Sequence, residues 1–372
     1  MPAKGDGITK RKDGRYMARY TVQAPDGPKR RTIYGDRYKD VEKKLNEARG
    51  DAARGLVYDA GSLTVGEWMD RWLRDAVADT VRPVTFDKYE QMVRNHIKPS
   101  LGRLKLSALS PAHVRGLYRE KLGAGLSPRT VQYVHVTLNK ALKQAVADGL
   151  IPRNVCAAVK PPRPQKREIA PLSPDQARRF LEACRGERLE AVFVLAVHTG
   201  MRQGELLGLH WDDVDLEART LRVRRSLSRT SKGPILTAPK SAKSRRRIRL
   251  TEAAAEVLKR HKAAQSAERL QLGGIWQDRG LAFPNPTGGF LCPGVLTSGP
   301  LKRPLQRAEL PPIRFHDLRH TCATILLSRG VHAKFVQELL GHATISITLD
   351  TYSHVLPGMD DGLADAMGDA LG

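Results

Sequence analysis

Residues 150–169 decide how the rest of the chain must be organised. Within them Pro152, Pro161, Pro162 and Pro164 lie among Arg153, Lys160, Arg163, Lys166 and Arg167. Each proline fixes φ and removes a backbone donor, so the stretch cannot be one helix or one sheet strand. It reads as a basic, partly extended linker. A chain of 372 residues divided there must build separate cores on either side, in line with the two or three domains its length suggests. Hydrophobic residues make up 41 % of the sequence and charged residues 27 %, enough apolar material for those cores.

Before the linker two segments differ in pattern. In residues 1–60, Gly7 to Arg11, Arg15 to Gln23 and Lys29 to Tyr34 read as short strands, with turns at Asp13-Gly14 and Pro25-Asp26-Gly27. Tyr38, Val41, Leu45 and Ala48 then recur at helical spacing. A basic three-stranded sheet backed by one helix can present strands to a DNA major groove. Residues 62–149 show four apolar stripes of helical period: Val65 to Leu73, Phe86 to Ile97 ended by Pro99, Val114 to Leu122, and Val131 to Ala145. Ser110-Pro111 and Ser127-Pro128 start the last two, serine as N-cap and proline at the first helical position.

After the linker the pattern is mixed. Ser173-Pro174 opens a helix, and Leu189 to Thr199 is almost wholly apolar, so it belongs inside a core. Thr220 to Leu227, Pro234 to Ala238 and Arg245 to Leu250 read as three strands, and Thr251 caps a helix reaching about Gln271. Helices are expected again over Pro293 to Ala308, His316 to Ser328 and His332 to Leu340. The expected fold class is multidomain α+β: a small N-terminal sheet-and-helix module, an all-α four-helix domain, and a mixed, mainly helical C-terminal domain with a small antiparallel sheet.

Charge narrows the partner. Lys and Arg number 63 against 39 Asp and Glu, a formal charge of +24, which favours a polyanion. From Arg219 to Arg249 there are twelve basic residues and no acid, so the strands there should carry a strongly positive surface. Cys156, Cys184, Cys292 and Cys322 lie far apart, which excludes a disulfide framework or a Cys-rich zinc site and suits a reducing cytoplasm. There is no apolar run of membrane-spanning length and no GxxxxGK[ST] phosphate loop.

Four short segments of the C-terminal domain stand out: Thr199-Gly200-Met201-Arg202-Gln203-Gly204-Glu205, Pro239-Lys240-Ser241-Ala242-Lys243, His316-Asp317-Leu318-Arg319-His320, and Leu340-Gly341-His342 followed by Asp350-Thr351-Tyr352-Ser353-His354. Together they resemble the tyrosine recombinase (phage-type integrase) family. The resemblance implies an arm-type DNA-binding module over 1–60, a core-binding domain over 62–149, the basic linker 150–169 and a catalytic domain over 170–358. It implies that Arg202, Lys240, His316, Arg319, His342 and Tyr352 are catalytic. It also implies double-stranded attachment-site DNA as substrate, a tetramer on that DNA, accessory bending or directionality proteins, no membrane, and a place with the nucleoid in bacterial cytoplasm. Neither cofactor nor metal is implied.

The residue types fit that chemistry. A tyrosine hydroxyl attacks a phosphodiester, and the 3′-phosphotyrosyl bond conserves the energy needed for rejoining. The phosphorane-like transition state gains negative charge on its non-bridging oxygens, which two arginines can clamp with bidentate, charge-assisted bonds. His316 and Arg319, three apart on a helix, share one face. Lys240 can protonate the leaving 5′-oxygen. His316 can accept or orient the tyrosine proton, and His342 can bond the phosphate. Glu205 matches an acidic position that supports the arginines, and Asp212 or Asp213 is expected to organise their surroundings. Counting back from Ile248 and Leu250 selects Lys240 over Lys243, which is left as a phosphate contact.

Each residue alone has a plainer reading. Arg202 could cap helix carbonyls or pair with Glu205 on the surface, His320 reads as a residue that packs or supports the catalytic groups from behind, and Leu-Gly-His as a helix end. Their joint order argues otherwise. A type IB topoisomerase would use the same residue types, but the N-terminal module and four-helix domain suit long, specific sites better. A DNA-binding regulator with a dead site is opposed by the intact set of six. In the tail, residues 359–372 hold Asp360, Asp361, Asp365 and Asp369 and no base, with Leu363, Met367 and Leu371 four apart. The expectation is a short acidic helix that docks on a neighbouring protomer.

Overall fold

The computed structural model describes residues 7–24, 27–53, 60–165, 169–239, 244–352 and 367–371. Lys240, Lys243 and most of the tail, with Leu363, lie outside them, as do Pro25 and Asp26 of one expected turn. The chain divides into two compact units, residues 1–166 and 167–372.

The first unit opens with an antiparallel sheet of β1 (Ile8–Lys10), β2 (Tyr16–Ala24) and β3 (Gly27–Gly35), in that order. The pairing Ile8↔Ala18↔Ile33 puts one face toward α1 (Tyr38–Ala53). Ala18, Val41 and Leu45 are its buried core, flanked by Ile8, Tyr16, Tyr20 and Ile33. Gly35 is required there, because a Cβ would stand 2.8 Å from Val41 Cγ2.

The helical core is separate. Thr64 caps α2 (Val65–Trp72), its hydroxyl taking the Glu67 N–H while Glu67 returns a bond to the Thr64 N–H. Trp68 is buried and donates to the Ala141 carbonyl at 3.0 Å. After α3 (Pro83–Met92) the chain does not stop at Pro99. A π-turn over Val93–Ile97 leads into α4 (Lys98–Leu101), where Pro99 falls in a first turn that needs no N–H from it. Next come α5 (Pro111–Gly123) and α6 (Pro128–Ala147), both started by the expected Ser-Pro pairs. The linker begins later than its composition suggests. Ile151, Val155, Cys156 and Val159 are buried in this core, and Asn154 starts a 3₁₀ turn over Val155–Ala158. Hydrophobic residues between the prolines outweigh the basic ones there.

The second unit is built on α8 (Glu190–Thr199), buried almost all round and preceded by α7 (Pro174–Ala183). After α9 (Gln203–Leu207), β4 (Val214–Asp215), β5 (Thr220–Val223) and β8 (Arg246–Arg249) form one antiparallel sheet, while β6 (Ser226–Thr230) and β7 (Gly233–Thr237) form a separate hairpin. The expected strand Thr220 to Leu227 is thus two strands in two sheets. The break has a cause. Asp213, its carboxylate 1 % exposed, pairs with Arg224 at 3.3 Å and Arg225 at 2.8 Å, turning the chain between β5 and β6. α10 (Glu252–Leu272) follows its Thr251 cap. The helix expected over Pro293 to Ala308 is two, α11 (Pro293–Ser298) and α12 (Lys302–Arg307), parted at Gly299-Pro300. Last come α13 (Phe315–Ser328), α14 (Ala333–Leu340) and α15 (Ile345–Tyr352), the last not foreseen from the sequence. Residues 367–371 are helical and exposed.

Candidate active site

Two left-handed glycines fold the motif segments onto one another. Gly200 ends α8 at φ 61°, and a Cβ there would lie 2.4 Å from Leu340 and 3.4 Å from Cys322 Sγ. This closeness seats the end of α8 against α13 and α14. Gly341 ends α14 at φ 65°, with Arg246 Nη1 3.0 Å from where its Cβ would be. Both glycine carbonyls receive an arginine: Arg319 Nη1 donates to Gly200 O at 2.7 Å, and Arg202 Nη2 to Gly341 O at 3.3 Å.

Arg202 is the N-cap of α9, and Glu205 is its third residue. The Glu205 carboxylate takes the Arg202 N–H at 3.0 Å and Arg202 Nη1 at 2.9 Å. It also takes Arg246 Nη2 at 2.9 Å, from β8. Arg246 donates in addition to Leu339 O and Ser244 O. One buried carboxylate thus joins α9, β8 and, through Arg246, the end of α14. Burial alone would raise the Glu205 pKa, but the Arg246 charge and bond, with those of Arg202, outweigh it and hold it below the carboxylate range. The expected positive surface is thus incomplete: Arg246 serves buried Glu205, and Arg224 and Arg225 serve buried Asp213.

On α13, His316, Arg319 and His320 face the same region. Arg319 is 3 % exposed, and its Nη2 has no hydrogen-bond partner among the described residues. Burial and the nearby Arg202 push its guanidinium down to about 9, still charged at neutral pH. An unpartnered buried donor on a charged group is a strong demand for an anion. Burial, then Arg319 and Arg202, also lower His316 and bring His342 down to about 3. His342 Nδ1 lies 2.9 Å from Thr348 Oγ1 on α15, which orients the ring.

Tyr352 ends α15 and is 2 % exposed, packed with Ala323, Leu327, Val336 and Leu340. Burial raises its hydroxyl to about 12, partly opposed by Arg319. Its Oη is 2.7 Å from His320 Nδ1. The bond goes to His320, which the sequence suggested was a supporting or packing residue, and not to His316. Arg202, His316, Arg319, His342 and Tyr352 are therefore brought together; Lys240 and Lys243 lie outside the described residues. Arg246 was missed, and His320 was given no more than a supporting or packing place. The Arg246 signal was the strand period: with Ile248 it shares the inward face of β8. His320 follows Arg319 and sits one turn beyond His316.

Low histidine values give a pH prediction. His320 and His342 titrate near 4 and 3 in the folded chain, against about 6.5 unfolded. Below that ordinary value the unfolded state binds more protons, so stability is fully present above about pH 6.5 and falls on acidification. Thermal melts should show Tm dropping from pH 7 to pH 5, and a chain with both histidines changed to Gln should show a flatter profile. Equal slopes in the two would show that other groups govern acid stability.

Residues 171–358 match the phage integrase family model, and residues 64–122 the phage integrase N-terminal SAM-like domain. A tyrosine recombinase XerC-like protein of Caldanaerobacter subterraneus subsp. tengcongensis is 34 % identical, over 91 % of this chain and 92 % of that one. The Tn1549 transposon integrase in complex with a circular intermediate DNA superposes with a TM-score of 0.67 at 23 % identity, covering 84 % of this chain and 100 % of that one. A lambda integrase tetramer bound to a Holliday junction gives 0.57 at 20 % identity, covering 95 % and 97 %. This chain belongs to the phage integrase family of tyrosine recombinases.

Proposed function

We propose that the chain is the site-specific recombinase of a phage or other integrative element, with Arg202, Lys240, His316, Arg319, His342 and Tyr352 carrying the chemistry. The observation that carries this reading is the unpartnered Nη2 of buried Arg319, in a site where the candidate nucleophile Tyr352 is also held. Tyr352 attacks the scissile phosphorus, and Arg202 and Arg319 take the non-bridging oxygens. Lys240 protonates the departing 5′-oxygen, and the 3′-phosphotyrosyl bond is later attacked by another 5′-hydroxyl. Double-stranded attachment-site DNA is the substrate and a tetramer the working assembly. Residues 1–60 read as the arm-binding module, 62–149 as the core-binding domain, 170–358 as the catalytic domain, and 359–372 as a tail docking on a neighbouring protomer. The described residues contain no helix long and apolar enough to cross a membrane. Four free cysteines suit a reducing bacterial cytoplasm.

The test is capture. On a nicked core-site duplex that loses its 5′-hydroxyl fragment after cleavage, the protein should form an adduct that survives denaturation, joined to a DNA 3′-phosphate. Relaxation of any supercoiled plasmid without strand exchange would favour the topoisomerase reading instead. The lysine is tested by its leaving group. Lys240→Ala should cleave normal DNA roughly a hundredfold more slowly. A 5′-bridging sulfur, which leaves without a proton, should restore the rate. Rescue of Lys243→Ala in its place would move the assignment to Lys243.

A further inference from the structure

The hydroxyl of Tyr352 rests on a residue outside the six. His320 Nδ1 lies 2.7 Å from Oη, within a normal O–H···N bond. The His320 ring stands edge-on to His316, centroids 5.0 Å apart, and tilted on the Tyr352 ring at 5.6 Å. It is fixed from both sides, on the same turn of α13 that supplies Arg319.

We propose that His320 is a further catalytic residue, the proton acceptor for the nucleophile. The proposal rests on Tyr352 being that nucleophile. As Oη forms its bond to phosphorus, the phenolic proton passes to His320 Nδ1. The P–O5′ bond breaks, its electron pair stays on O5′, and O5′ takes a proton from Lys240. In rejoining, the incoming 5′-hydroxyl gives its proton to Lys240, and Tyr352 departs taking its proton back from His320. Protons balance over the two steps, and His316 is left free to serve a phosphate oxygen.

The surroundings suit this role. His320 is faced by His316, Asp317, Arg319 and Arg314 from α13 and its cap, by His342 beyond α14, and by Tyr352 from α15. Burial, then His316, hold it near 4, so at neutral pH it is an uncharged acceptor. A bound phosphate beside Arg319 would offset the cations and make His320 more basic just when the proton moves.

His320→Gln separates accepting a hydrogen bond from accepting a proton, because the amide oxygen can do only the first. With DNA affinity unchanged, adduct formation should slow roughly a hundredfold, within the usual range for general-base catalysis. The deficit should persist on the 5′-bridging sulfur substrate that rescues Lys240→Ala, because sulfur relieves the acid and not the base. A rate within about threefold of wild type, or rescue by sulfur, overturns the assignment. Where Gln also weakens DNA binding, His320→Gly with added imidazole decides: adduct formation rising with free imidazole supports the role, and no response overturns it. Adduct formed by Tyr352→Phe would strike the nucleophile itself; loss there beside a normal His320→Gln strikes only this inference.

Discussion

Tyr352→Phe is expected to fold, bind core-site DNA as tightly as wild type, and form no covalent adduct. The substitution removes one oxygen. The ring keeps its packing against Ala323, Leu327, Val336 and Leu340. Its hydrogen bond to His320 is lost, leaving a half-buried ring nitrogen unpaired at about 1 kcal/mol. That is too little to unfold α15. The chemical loss is of another size. Removing a covalent nucleophile lowers turnover on the order of 10⁶-fold in the best-measured case. On a denaturing gel the adduct band should vanish, while a native gel shift is preserved. An adduct that persists would mean that another residue attacks.

Arg319→Lys should have the second largest effect, about 10² to 10³-fold on single-turnover cleavage, the size of losing one charge-stabilising donor in a buried site. Lysine keeps the charge and loses the fork. In the wild type one arm of the guanidinium holds the Gly200 carbonyl at 2.7 Å and the other has no partner among the described residues. A single ammonium at the end of a flexible stem cannot serve both. Either Gly200 O is left unpaired at the end of α8, or the phosphate loses its donor. DNA affinity should change little, because that is spread over many phosphate contacts. Cleavage by Arg319→Lys within about tenfold of wild type would show that charge alone suffices at this position.

Much of the site was legible because its chemistry dictates residue type. Arg202, His316, Arg319, His342 and Tyr352 stand out through the resemblance of their motifs to those of tyrosine recombinases, and the structure gathers them. The Ser-Pro helix starts were equally plain, since capping is a local effect. What escaped depends on distant partners. The helix Ile345–Tyr352 is one such element, with no expectation set for it in the sequence. Burial of Thr348 and Tyr352, four apart, and the His342–Thr348 bond decide it. Likewise the split of β5 from β6 comes from Asp213, and the depth of Arg246 from Glu205; neither partner is near in sequence.

The shared carboxylate of Glu205 has a consequence for how this protein can diverge. Arg202 and Arg246 lean on the same two oxygens, and Arg246 fills the space that any side chain at position 341 would need. Effects of substitution at residues in one such network do not add. Losing Glu205 strands a buried arginine, losing Arg246 strands the acid, and either alone shifts Arg202. Yet removing both acid and buried base together leaves no stranded charge. Single steps through this part of sequence space are therefore blocked where a paired step is open. Descendants that differ here should differ at several of positions 205, 246 and 341 at once, and engineered libraries that vary them one at a time will find only dead ends.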